Sequence, residues 1–220
     1  GQVIPSEFHV ALPPYATAEA KVMAAKGPEA MYKKYNMHEG VEYMNQNDLE
    51  EMYLNNTWRA NLATTGASGL PDVAIAGNVI RSSTSVRCSM RLPPSMNPKE
   101  AERVMTEALT TNVPHNAKVT LNGGHTGQGF CMKQPEAWFE EKMAKAGLDF
   151  FGKETGSYGM GGSIPFLAEL GKMYPNTQIL ALGLIGPGAN AHAPNECINL
   201  PFAKKLTCTL AHLIAAVASQ

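Results

Sequence analysis

Residues 82–100 read SSTSVRCSMRLPPSMNPKE, and the break in the middle of this stretch decides the fold. Val86, Cys88, Met90 and Leu92 alternate with Ser85, Arg87, Ser89 and Arg91, the two-residue period of a half-buried strand. Pro93 and Pro94 remove two successive backbone donors and end it. Asn97 then stands before Pro98, an N-cap followed by a residue whose fixed φ suits the first helical turn. Val104, Met105, Ala108 and Leu109 give that helix an apolar face. A strand that runs within a few residues into a capped helix predicts a helix packed on a sheet.

The same reading extends outward. Upstream, Arg59 to Thr65 is a second run of strand formers, joined to the first through turn residues that include Ala76-Gly77-Asn78-Val79-Ile80-Arg81. Downstream, Lys118 to Leu121 returns as a strand, so this part reads as a small α+β sandwich. Residues 1–56 are rich in Met, Glu, Lys and Tyr, with helices expected over Thr17–Ala25, from Pro28 to Tyr35, and over Leu49–Leu54 behind a cap at Asn47-Asp48. A glycine-rich joint, Gly123-Gly124-His125-Thr126-Gly127-Gln128-Gly129, marks a boundary. Beyond it come a helix from Pro135 to Ala146, a loop from Gly156 to Gly162, a helix from Ser163 to Met173 and an apolar strand over 178–185. The loop GPGANAHAPNE (186–196) and a final helix follow. In that helix Leu206, Leu210, Leu213, Ile214 and Val217 fall at helical spacing. This order is one layer of a doubly wound α/β domain, with too few strands for a complete one.

Composition sets the outer bounds. A 220-residue chain that is 44% hydrophobic and 17% charged is globular. Eighteen basic against nineteen acidic residues leave no nucleic-acid footprint. The apolar stretches 179–185 and 210–218 fall short of the roughly 18–20 residues of a membrane helix, so no membrane partner is expected. No signal-peptide pattern opens the chain. Cys88, Cys131, Cys197 and Cys208 lack CxxC spacing, and buried free thiols in a cytoplasmic, reducing compartment are expected. The chain opens on Gly1 without a methionine, which suggests a fragment or a processed piece.

Three stretches carry possible chemistry. In an α/β sheet, ligands bind beyond the carboxyl ends of strands, where the loop with His192 is expected. Pro194, Asn195 and Glu196 follow it and offer acceptors that would hold the imidazole in one tautomer. Gly159-Met160-Gly161-Gly162-Ser163-Ile164-Pro165-Phe166 reads as a helix start with Ser163 as N-cap, a place where free N–H groups attract an anion. It is not a Walker motif, since no Lys-Ser/Thr follows the glycines. Asn78 lies in a turn, where an asparagine commonly means only left-handed geometry.

In this order and spacing, TWRANLATTGASGLPDVAIAGNVI (57–80), SVRCSMRLPP (85–94), GGSIPF (161–166) and AHAPNE (191–196) resemble the dinuclear-zinc metallopeptidases. That family includes carnosinase, cytosolic dipeptidase, glutamate carboxypeptidase, aminoacylase, acetylornithine deacetylase and succinyl-diaminopimelate desuccinylase, and the dipeptidase-like branch fits best. The resemblance implies a ferredoxin-like lid, or dimerisation, domain over residues 1–126. It is incomplete and carries a helical N-terminal insertion. Residues 127–220 would form the C-terminal part of a doubly wound α/β catalytic domain. It further implies that His192 is a zinc ligand, that Gly162 and Ser163 line the site for the substrate's carboxylate, and that Asn78 reaches it from the lid. The activity implied is hydrolysis of a dipeptide, C-terminal peptide or N-acyl-amino-acid bond by water activated between two zinc ions about 3.5–4 Å apart.

Against the family pattern, a His-x-Asp ligand pair, paired glutamates, a further aspartate and a lid histidine are absent. Gly159 stands where several dipeptidases have an arginine. His9, His38, His115 and His125 lie in lid-like or hinge segments, and His212 on a helix face, so none reads as a ligand. No catalytic residue is expected in this chain, and one ligand of the two-zinc centre is. The expected partners are the missing N-terminal half or a second chain, a homodimer mate across the lid, and a small peptide or N-acyl amino acid. Two alternatives are a non-catalytic lid-type module that dimerises or binds a partner, and a phosphate binder built on the GMGGS helix start.

Overall fold

The computed structural model describes residues 3–27, 37–160 and 164–218. The helix expected from Pro28 to Tyr35 lies outside the described residues, as do Gly162 and Ser163.

Helix α1, Pro14–Lys26, begins on a proline and buries Ala16 and Ala20, one helical turn apart. These small side chains let helix α2, Leu49–Thr57, approach closely. Asp48, the second residue of the expected cap, accepts the Glu51 N–H at 2.9 Å and starts α2. Tyr53, Leu54 and Trp58 fill the space between the helices, with Leu12 and Met23 at the margin. Each such large side chain, fully buried, contributes roughly 1.5–3 kcal/mol. Arg59 holds the Glu51 carboxylate with both terminal guanidinium nitrogens and so fixes the exit from α2.

Strands β1, Asn61–Ser68, and β2, Ser85–Arg91, form an antiparallel ribbon with Asn61 opposite Arg91 and Ser68 opposite Ser85. The register shifts between Thr64 and Gly66, where Thr65 turns its hydroxyl to the Arg87 carbonyl at 3.3 Å. Helix α3, Pro98–Thr110, starts where Asn97 Oδ1 accepts the N–H groups of Lys99 and Glu100 at 2.9 and 3.4 Å. Its buried face, Ala101 and Val104, meets Phe8 and Met96, with Ala60, Met90 and Leu92 packed around them. Only the base of the ribbon is covered in this way. The alternation in β2 therefore buries Cys88 and Met90 in part but leaves Val86 exposed, and every residue of β1 is exposed.

Past the ribbon, Gly129 crosses the Pro93-Pro94 corner so tightly that a Cβ would lie 2.6 Å from Pro94 Cα. Gln128 donates to the carbonyls of Pro94 and Met96 at 3.2 and 3.3 Å and locks the joint. Helix α4, Ala137–Ala146, runs into a π turn over Gly147–Phe151. Helix α5 spans Pro165–Met173, and helix α6, Leu200–Val217, packs on α4 and the π turn behind an Asn199 cap.

Several expectations are corrected. Neither 118–121 nor 178–185 forms a strand, because a strand exists only beside a partner; among the described residues the sheet holds β1 and β2 alone. The cysteines are free, yet Cys131, Cys197 and Cys208 are exposed and Cys88 is only half-buried, so the expected burial does not hold. Helix α6 is longer than its apolar core suggested. At 18 residues it is long and apolar enough to cross a membrane by length and composition, with 17% of it buried.

A compact chain of 23.6 kDa exposes roughly 9,800 Å². This one exposes 16310 Å², roughly two-thirds more. The excess includes the tip of the ribbon, where Val73 is 92% and Ile80 98% exposed, and the outer face of α6, with Leu200, Ile214 and Val217.

Candidate functional site

The loop after residue 185 is built by backbone geometry. Gly188, Asn190, His192 and Asn195 all take positive φ, at 76°, 51°, 62° and 64°. Glycine does so freely, and Asn and His are the other residues most often found there. The Cys197 N–H donates to the Ala189 carbonyl at 3.0 Å and closes the neck, while Ala193 N–H donates to Asn190 at 3.0 Å within it. Ala189 is buried and anchors the base. His192 is thereby carried on the exposed outer turn. A cluster of left-handed non-glycine residues costs on the order of 1–3 kcal/mol each and gathers at functional sites. Contrary to the sequence expectation, no hydrogen bond from Pro194, Asn195 or Glu196 reaches the imidazole among the described residues; the loop is held by backbone bonds and by the Cys197 thiol on the Gly188 carbonyl.

Asn78 lies between β1 and β2. Its φ is not positive, so left-handed geometry does not explain the choice of asparagine. The Val79 N–H donates to the Gly77 carbonyl at 2.9 Å, which makes Asn78 the centre of a three-residue turn with an exposed side chain. Arg81 donates to the Gly69 carbonyl at 3.1 Å and Asp72 accepts the Ala74 N–H at 2.8 Å, so the loop keeps its shape without a packed core.

The third stretch is described up to Met160 and again from Ile164. Gly159 is in contact with α2: its N–H donates to Tyr53 Oη at 2.8 Å. A Cβ at Gly159 would fall 2.8 Å from Thr57 Cγ2. A side chain at 159 would therefore require Thr57 to shift. Sequence reasoning missed Tyr53, because its partner is more than a hundred positions away in the chain.

Among the described residues no three His, Cys, Asp or Glu side chains gather as a metal would need. The residues present therefore do not make a zinc centre alone, and His192 offers a single nitrogen. The other histidines do not join it: His9 Nε2 lies 2.6 Å from the Val3 carbonyl. His212 Nε2 is buried without a partner, its ring edge-on to Phe150. A groove of about 440 Å³ runs between residues 128–133 and α5, lined by Gln128, Phe130, Lys133, Lys172 and Tyr174 among others, and contains neither Asn78 nor His192.

No protein-family model matches the chain. A cysteinylglycine-S-conjugate dipeptidase from Corynebacterium striatum is 24% identical over 173 residues, 78% of this chain and 37% of that one. The fold resembles an M20 family metallo-carboxypeptidase, Sso-CP2 from Sulfolobus solfataricus, at a TM-score of 0.62, with 16% identity over 94% of this chain and 53% of that one. Human carnosine dipeptidase 1 gives 0.59, with 19% identity over 99% of this chain and 45% of its own. The di-peptidase Dug1p from Saccharomyces cerevisiae gives 0.56, with 18% identity over 96% and 50%. The chain thus spans about half the length of these solved structures. By sequence it is similar to a dipeptidase, and by fold to M20-family and other dipeptidase structures, of each of which it covers a part.

Proposed function

We propose that this chain is the C-terminal portion of a zinc-dependent peptidase or amidohydrolase that cleaves a dipeptide, C-terminal peptide or N-acyl-amino-acid bond, and that works in the cytoplasm. The observation that carries the reading is the His192 loop. A strained, backbone-locked turn presents an imidazole that has no hydrogen bond among the described residues, in a chain similar to a dipeptidase over 78% of its length. His192 supplies one ligand, and the general base and remaining ligands come from the complementary half of the protein. A metal pair of this kind lowers the pKa of a bound water. This chain's own contribution is the single nitrogen, together with Gly162 and Ser163 for the substrate's carboxylate and Asn78 reaching in from the ribbon.

The division proposed is a lid-type portion to residue 126 and a catalytic portion from 127, with α1 and α2 leaning on the latter. The unpaired ribbon and the surplus surface support a homodimer mate across the lid and the complementary half across the C-terminal portion. The surplus is several times a standard interface of about 1,600 Å².

The test is His192→Ala in the complete protein. A lost supporting partner alone costs a metal site roughly 10–100-fold in affinity, so a lost ligand is expected to cost at least that, with turnover collapsing. The exposed loop position should leave the melting temperature within a degree or two. Normal zinc content with normal turnover would remove the assignment.

A further inference from the structure

We infer that residues 3–27 are a strap, packed at one end on helix α3 and bound at the other to the chain beside α4. It prevents the glycine-rich joint at 123–129 from acting as a free hinge between the two.

The first anchor is apolar. Phe8 is buried against Met96, Ala101 and Val104, with Val3 and Val10 at the edge of the same cluster. The short turn that carries it, Ser6–Phe8, is held where the Phe8 and His9 N–H groups donate to the Pro5 and Ser6 carbonyls at 3.2 and 2.9 Å. The second anchor is α1 with its neighbour α2. Tyr15 Oη lies 2.5 Å from Cys131 Sγ, and the Tyr15 ring stands edge-on to Trp58 at 5.9 Å between centroids. Lys26 pairs with Glu154, though an exposed pair adds little alone. Met23 and Tyr53 do more: a Cβ on Gly156 would meet the Met23 sulfur at 3.4 Å, and the Gly159 N–H donates to Tyr53 Oη at 2.8 Å. The segment so held is itself tied to α4, since Thr155 donates to the Met143 carbonyl at 2.7 Å.

Stiffness between the anchors makes them a strap. Six residues separate Phe8 from Tyr15, and the last two are Pro13 and Pro14. Each proline fixes its own φ, and Leu12 before them is driven to extended backbone as well. Pro13 has φ −67° and ψ 148°, the polyproline II conformation. Such a stretch is a semi-rigid spacer and takes up no slack. The joint is different. Gly123 and Gly124 would have open space around a Cβ, but Gln128 clips the far end back to the Pro94 and Met96 carbonyls. Residues 112–127 are therefore a closed excursion from the α3 body, and the covalent crossing is at Gly129 and Phe130. Hinge rotation is absorbed by a few linker residues, and a second, inextensible crossing that lands at Cys131 opposes it. Met96 serves both crossings, its side chain against Phe8 and its carbonyl on Gln128. The ribbon with Asn78 is thus kept at a set distance from the body that carries His192. That distance bears on catalysis only through the function proposed above; the strap does not depend on it.

The experiment places spin labels at Glu102 on α3 and Lys204 on α6, both exposed, through keto-bearing amino acids that leave the native thiols alone. Pulsed dipolar spectroscopy then reads the distance distribution in the complete protein, diluted with unlabelled protein so that only pairs within one chain contribute. The same pair is read after Gly-Ser-Gly-Ser is inserted between Val10 and Ala11, which slackens the strap and keeps both anchors. It is read again in Phe8→Ala, which removes the first anchor. The expected result is a narrow distribution for the unaltered protein and one broadened by several Å in each variant. The upper bound is the reach of four flexible residues, about 10–12 Å. An unchanged width in the insertion variant overturns the inference, as does a broad distribution in the unaltered protein. If Phe8→Ala does not fold, the insertion variant decides. No turnover is measured, so failure here leaves the zinc assignment of His192 standing, and failure of that assignment leaves the strap.

Discussion

Glu19 sits half-buried beneath Tyr53, and burial raises its pKa above the ordinary 4.5, partly offset by the hydrogen bond that Tyr53 donates. The folded chain therefore holds a proton there more readily than the unfolded chain, in the window from 4.5 up to the raised value. Within that window stability is highest at the acid end and falls as pH rises. Glu19→Gln removes the titration and keeps the shape. Melting temperatures measured from pH 4 to pH 8 should fall less steeply for the variant, and the two curves should diverge toward neutral pH; parallel curves would rule the effect out. Legibility at this scale follows sequence distance. Asn97 and His192 announce themselves through their immediate neighbours. Tyr53 and Gly159 form one unit that no local pattern reveals, because they lie 106 positions apart in the chain. Asn78 was legible as a turn residue, but only its negative φ showed that the turn does not need an asparagine.

Helix α3 shows what an element owes to its first residue. Asn97 satisfies two of the N–H groups that a helix start leaves open. Asn97→Ala should cost about 1 kcal/mol, read as a lower denaturation midpoint with an unchanged slope; a change below a few tenths would mean that packing on Phe8 and Met96 alone holds the helix. The start of α3 was legible because its cap, proline and apolar period are local, whereas α5 has Ile164 at its N-cap, not the expected Ser163. The ribbon of β1 and β2 was legible for the same reason, as its partners are joined by one loop. The runs 118–121 and 178–185 have strand composition and no strand partner among the described residues. A ladder needs a partner strand, and no reading of the runs themselves supplies one. The π turn after α4 was also illegible: Gly147, Leu148 and Asp149 do not distinguish a widened turn from an ordinary helix end.

At the scale of the whole molecule, two small clusters do most of the packing, one between α1 and α2 and one where α3 meets the ribbon's base. A two-stranded ribbon is marginal by itself, and α6 keeps Leu200, Ile214 and Val217 on its open side. These faces have the composition of a core and the exposure of a surface, which the ordinary overall composition of the sequence does not reveal. The chain covers about half of each of the solved structures it resembles. The most direct test is dipeptide turnover and bound zinc, measured on the 220-residue chain alone and again after it is combined with the complementary half. The account predicts no turnover and no stoichiometric zinc for the chain alone, and zinc-dependent turnover in a stable complex once both parts are present. Turnover by the chain alone that requires His192 would contradict it.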